Sequence, residues 1–166
     1  MAISPIPKYG HRLLVRPDNT VEIDTFEVDL PSSQQVLIET DSTLISAGTE
    51  LGTQEQERQQ PFTPGYSNAG RILALGDGVE GYQVGDRVLS LGHHASHVTV
   101  SAAPQSLVKL PAGASFAAGT FGVLGSVSIH GVRKAKLEFG EHLMITGMGV
   151  VGQLALQLAK LTGCDQ

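Results

Sequence analysis

Residues 142–152 read HLMIT followed by Gly147-Met148-Gly149-Val150-Val151-Gly152, a short apolar run leading straight into G-x-G-x-x-G. This placement predicts a strand over 142–146, a glycine turn, and a buried-face helix over 149–161. Such a turn suits an anion. Gly147 permits the tight bend, Gly149 lets backbone approach a pyrophosphate, and Gly152 lets the helix lie close on the strand with its N-terminal N–H groups facing the ligand. Met148, Val150 and Val151 occupy the remaining positions of the candidate cofactor turn. The alternative is a plain strand-to-helix turn in an α/β domain that binds no nucleotide.

A dinucleotide domain also needs an acidic residue for a ribose, or a basic one for a 2′-phosphate, about 20 residues past the glycines. That position falls at or just past Gln166. The expectation is therefore the first βα unit of such a domain, in a chain that is a piece of a longer protein. One βα unit cannot cover both faces of a parallel strand.

Upstream of this unit the text changes character. Residues 114–136 are rich in small and aliphatic residues without proline, and predict one broken helix or two, with residues 137–140 as a link. The first hundred or so residues read as strands: 11–17 and 21–28 around the turn-forming Asp18-Asn19, then 34–46, which invites a bulge, then 71–75, 87–90, 96–100 and 107–110. Residues 48–60 are polar and predict a short helix or an exposed loop, with 54–60 as a solvated face. Short strands separated by glycine-rich turns suggest a closed barrel or a sandwich. Twenty glycines and eight prolines against five Phe, three Tyr and no Trp agree with many tight turns.

Composition excludes several classes. With 166 residues, 41% hydrophobic and 16% charged, the chain is long enough for a real core and too apolar for intrinsic disorder. Net charge is −5 and Lys and Arg are dispersed, so no nucleic-acid surface is expected. No run is long enough for a membrane span, and the N-terminus lacks the apolar core of a signal peptide. Cys164 alone makes neither an internal disulfide nor a cysteine-based zinc site. A soluble cytoplasmic protein is expected.

Taken in order, Ala47-Gly48-Thr49-Glu50, Pro64-Gly65-Tyr66-Ser67-Asn68-Ala69-Gly70, Val84-Gly85-Asp86-Arg87-Val88 and the glycines at 147–152 resemble the medium-chain dehydrogenase/reductase superfamily. The resemblance spans nearly the whole chain. It implies a mostly β GroES-like catalytic domain with trailing helices over 1–138. The beginning of an incomplete NAD(P)-binding Rossmann domain follows over 139–166. It also implies a small-molecule substrate and allows a homodimer in the full-length protein. Zinc-type members carry C-G-T-D at the first stretch and G-H-E at the second, with cysteine and histidine binding the catalytic metal. Here those ligand positions hold Ala47 and Tyr66, Ser67 replaces the nearby glutamate, and alignment on Gly125 and Gly131 puts Leu124 at the third ligand. Alanine and leucine offer no ligand atom, and tyrosine and serine are poor partners for zinc. The lobe that holds structural zinc is also missing.

The resemblance therefore implies a zinc-independent oxidoreductase using NAD or NADP. It would move a hydride between nicotinamide and a carbonyl, alcohol or conjugated alkene, with hydrogen-bond donors in place of a Lewis acid. The candidate donors are Tyr66, Thr49 (at the family's hydroxyl relay position) and Ser46, with Ser67 as an alternate. Glu50 reads as structural. Ser128 matches a hydroxyl position beside the nicotinamide. Each has a plainer role open to it. Tyr66 could line a pocket with its hydroxyl taken by backbone, Thr49 could cap the segment that follows, and Ser128 could bond its own helix. His93, His94 and His97 stand in loop and strand and are expected to be solvated rather than to bind metal, while His130 is expected to pack on its helix. The competing function is a non-catalytic module acting in protein–protein contact. The 166 residues alone are expected to show negligible dehydrogenase activity.

Overall fold

The computed structural model describes residues 5–54, 59–138 and 140–163. Cys164, the extreme N-terminus and most of the polar stretch 54–60 lie outside the described residues. By internal contacts the chain divides after Thr120 into two compact units.

The first unit is β-rich. Strands β1 (Tyr9–Val15) and β2 (Val21–Glu27) form an antiparallel hairpin with Val15 opposite Val21. Its turn is set locally. Asn19 takes a left-handed φ of 66°, and Asp18 Oδ1 accepts from the Thr20 N–H at 3.0 Å and from the Thr20 hydroxyl at 2.6 Å. Across the hairpin, Arg12 and Asp24 stand directly opposite and pair at 2.8 Å.

The remaining strands are β3 (Gln35–Thr43), β4 (Asn68–Leu75), β5 (Arg87–Ser90), β6 (His97–Ser101) and β7 (Leu107–Lys109). They form one antiparallel sheet in the order β6-β3-β4-β5-β7. The expected irregularity in β3 is present: its register against β4 shifts between Leu37 and Ile38 and again between Thr40 and Ser42. Helix α1 (Ala47–Gln54) makes the first part of the polar stretch after β3 a short helix, and α2 (Phe116–Gly119) closes the unit. The hairpin joins the rest through Leu13 N–H to His94 O and Ser96 N–H to His11 O. Val15 and Phe62 exchange a further reciprocal pair.

The core is the inward set of period-two residues. Val36 and Ile38 of β3 meet Val100 and Val98 of β6, with Ile72, Val88 and Leu107 completing the cluster. Ile72 is fully buried. An Ile72→Ala variant is expected to lower unfolding free energy by about 2–5 kcal/mol, because the lost methyl groups leave a cavity that strand backbones cannot collapse into. Urea unfolding of the variant against the wild type measures it, and an unchanged midpoint would contradict this core assignment.

The second unit contains α3 (Gly122–Ala135) and α4 (Val150–Lys160). Glycines 119 and 122 flank the break, so the aliphatic stretch makes two helices. Val132 and Ala159 are the buried centre of the α3–α4 contact, with Leu137, Leu143, Ala155 and Leu158 packed around them. The strand expected over 142–146 is not formed. Residues 143–148 carry no regular structure and Met144 is 84% exposed. A strand exists through its neighbour's hydrogen bonds, and beyond a single bridge at His142 none of the described strands pairs with this run. The helix after it matches expectation closely, with Gly149 as N-cap and Leu161 as C-cap.

Candidate functional site

In the β unit the site is built where α1 meets the turn before β4. Thr49 sits in the first turn of α1, and Ser46 precedes the helix. The Ser46 hydroxyl donates to Thr49 Oγ1 at 3.4 Å, and Thr49 Oγ1 lies 3.4 Å from Tyr66 Oη. The structure thus brings together the three hydroxyls singled out from the sequence, although they come from two segments 17 residues apart. These are long separations for O–H···O contacts. Thr49 and Tyr66 face a cavity of about 270 Å³, walled also by Phe62 and Pro64.

Glu50 fixes this corner. Its Oε1 accepts the Ser46 N–H at 2.7 Å, its own N–H donates to Ser46 O at 2.9 Å, and its Oε2 meets His94 Nε2 at 3.0 Å. Ser67 belongs to the framework: it is 1% exposed and its hydroxyl donates to Thr120 O at 2.5 Å. Ala47 places no donor atom here. Among the described residues, no group of three or more His, Cys, Asp or Glu side chains is arranged to hold a metal ion.

His93 is exposed as expected, and the other histidines singled out depart from expectation. His94 is 5% exposed, not solvated, because its ring lies under the turn at Pro64-Gly65-Tyr66. His97 is partly buried, and its Nε2 has no hydrogen-bond partner among the described residues. His130, expected to pack, is exposed on α3. Burial pushes the His97 imidazole below its ordinary value, against the opposing field of the Glu39 carboxylate. A ring whose folded pKa lies below its unfolded value near 6.5 contributes stability that is full above that value and lost as pH falls through it. Thermal unfolding followed from pH 8 to pH 5 is expected to show declining Tm below about 6.5. A His97→Gln variant should show a shallower decline, and identical slopes would contradict it.

In the second unit, the glycine turn has the shape its spacing implies. Gly147 has φ +89°, a left-handed conformation that disfavours any side chain. A Cβ at Gly152 would lie 1.9 Å from Gly147 O, so α4 packs against the turn in a way only glycine allows. Around Gly149 there is open space. Met148, Val150 and Val151 are exposed. Gln153 Nε2 braces the turn by donating to Met148 O at 2.9 Å. The first N–H groups of α4 have no acceptor within their own helix. Ser128 is 2% exposed, with its hydroxyl 2.9 Å from Leu124 O and 3.1 Å from Val151 O. Its single donor is thus spent on backbone of α3 or of the first turn of α4.

A β-barrel with a polar corner at α1, followed by a helix opening from a glycine turn, is the architecture of the medium-chain dehydrogenase/reductase superfamily. The chain belongs to it: residues 32–135 match the alcohol dehydrogenase GroES-like domain family. The fold is accordingly the GroES-like barrel followed by helices and the opening of a Rossmann domain. Among relatives, the chain is 30% identical over 152 residues to 2-dehydro-3-deoxy-L-galactonate 5-dehydrogenase of Pseudoalteromonas atlantica, covering 71% of this chain and 44% of that protein. It is 33% identical over 105 residues to D-guloside 3-dehydrogenase of Escherichia coli, covering 63% and 30%. The crystal structure of CurK enoyl reductase superposes with a TM-score of 0.78 at 26% identity, covering 93% of this chain and 52% of that one. The chain thus spans about half or less of the proteins it matches. Among the described residues no helix is long and apolar enough to cross a membrane.

Proposed function

We propose that the protein is a nicotinamide-dependent oxidoreductase that uses hydroxyl groups where zinc-type relatives use a metal. The carrying observation is the chain of hydroxyls Ser46, Thr49 and Tyr66, the last two lining a cavity of about 270 Å³, with Ala47 and Tyr66 at the positions that resemble zinc ligands. This donor set does not fit zinc, since it offers a methyl group and a phenol where thiolate and imidazole are required. The glycine turn does fit a pyrophosphate. The left-handed Gly147, the open space at Gly149 and the first-turn N–H groups of α4 form a cradle for it.

When bound, NAD or NADP supplies or accepts the hydride. Tyr66 and Thr49 donate hydrogen bonds to the substrate oxygen as negative charge develops there, a stabilisation that preorganised donors provide without reorganising solvent. Ser46 completes the chain of hydroxyls through which a proton leaves or arrives at that oxygen. The substrate is a small molecule bearing a carbonyl, an alcohol or a conjugated alkene. The domains divide on this proposal at residue 138, with the catalytic part before and the coenzyme part after. NADH and NADPH titrated into the complete protein, with 1,4-benzoquinone, an α,β-enone and a secondary alcohol as probes, test it. Coenzyme binding with hydride transfer to or from one probe supports the proposal. Stoichiometric zinc bound at Tyr66 contradicts it.

A further inference from the structure

We propose that His94 is a positioning residue for the Thr49–Tyr66 hydroxyl pair, acting through an Nε2–H held on Glu50; the inference rests on the function proposed above. The two hydroxyls belong to segments with no covalent reason to stay in register, and His94 grips both. On one side its Nε2 meets Glu50 Oε2 at 3.0 Å, with the two side chains only 4% and 13% exposed. Through its other oxygen and its own N–H, Glu50 clamps Ser46 and so fixes the first turn of α1, where Thr49 is the preceding residue. On the other side the His94 N–H donates to Pro64 O at 2.9 Å. A Cβ on Gly65 would lie within 2.8 Å of the His94 backbone and ring, so the ring forms the floor of the turn that presents Tyr66. His93 Nδ1 adds a contact to Gly65 O at 2.8 Å.

The unpartnered nitrogen assigns the proton. His94 Nδ1 is buried with no hydrogen-bond partner among the described residues. A buried N–H without an acceptor is costlier than a buried lone pair without a donor. The proton therefore sits on Nε2 and is donated to the carboxylate. Glu50 is thus the ring's hydrogen-bond partner among the described residues, and the pair works as one hinge pin between α1 and the turn. At 3.4 Å the hydroxyls are already at the limit of contact, and a displacement near 1 Å of such groups costs about 100-fold in rate.

The test compares wild type, His94→Leu and His94→Gln in the complete protein. Glutamine keeps an N–H at the Nε2 position, and leucine fills similar space without one. With coenzyme and 1,4-benzoquinone as probe, His94→Leu is expected to lose about 100-fold in kcat with the KM for coenzyme unchanged, and His94→Gln to regain most of it. Long-range proton–nitrogen NMR of the wild type should show the His94 ring protonated at Nε2. The amide shifts of both Thr49 and Tyr66 should move in His94→Leu and return in His94→Gln. Unchanged kcat in His94→Leu, absence of rescue by His94→Gln, or a ring protonated at Nδ1 would each overturn the proposal. If wild type transfers no hydride to any probe, the oxidoreductase function fails, and the NMR shifts alone decide the positioning role. If the leucine variant does not fold, the wild-type ring protonation decides it.

Discussion

Gly152→Ala is expected to weaken nicotinamide coenzyme binding by roughly 100-fold or more while leaving the barrel folded. The obstacle is the added Cβ itself, which would stand 1.9 Å from Gly147 O and 3.1 Å from the carbon of the same carbonyl. A backbone atom has no rotamer to escape into, so α4 must slide away or the turn must open, and overpacking of this kind costs at least about 1–3 kcal/mol. Either movement takes the first N–H groups of α4 off their aim. Hydrogen bonds to a charged group contribute about 1.5–3 kcal/mol each. Loss of two of them lowers affinity by roughly 100-fold or more. Titration followed by nicotinamide fluorescence reads this directly. The β core lies in the other compact unit, so its unfolding by urea is expected to be unchanged. An alanine variant that bound coenzyme like wild type would show that the turn does not cradle the phosphates.

Tyr66→Phe is the corresponding test of chemistry. It removes one hydroxyl and keeps the ring that lines the cavity. The phenol contacts Thr49 Oγ1 at a long 3.4 Å and is only half-buried, so the fold should scarcely notice its loss. Removal of one preorganised donor to a developing oxyanion typically costs about 10²–10³ in kcat. The expected outcome is a fall of that size with coenzyme affinity and Tm unaltered. Equal kcat in the two proteins would reduce Tyr66 to a pocket wall.

Much of the barrel was readable because strand residues alternate and glycine-rich turns punctuate them. Residues 87–90 coincide with β5, and the bulge anticipated in the long third strand appears as two register shifts. Helix α4 was readable from its glycines and apolar face. The run HLMIT looked like a strand for sound local reasons, yet pairing is a non-local property and local text cannot supply a neighbour. The site was half legible. Ser46, Thr49 and Tyr66 stood out by position, and the structure brings them together. The Glu50–His94 pair did not, since its members are 44 residues apart and no spacing rule joins them. A histidine in a loop is ordinarily solvated. What buries this one is the approach of Gly65, whose φ of +97° and missing side chain let the ring slide beneath. Glycine in the Pro64-Gly65 pair was the signal available, as a mark of something passing close.

Soaking crystals of the complete protein with coenzyme and a ketone probe tests the central claim most directly. Pyrophosphate density is expected against residues 147–152, with the probe's oxygen within hydrogen-bond reach of Tyr66 Oη and Thr49 Oγ1 and no metal between them. Density for a cation at that oxygen, or an empty glycine turn at saturating coenzyme, would contradict it.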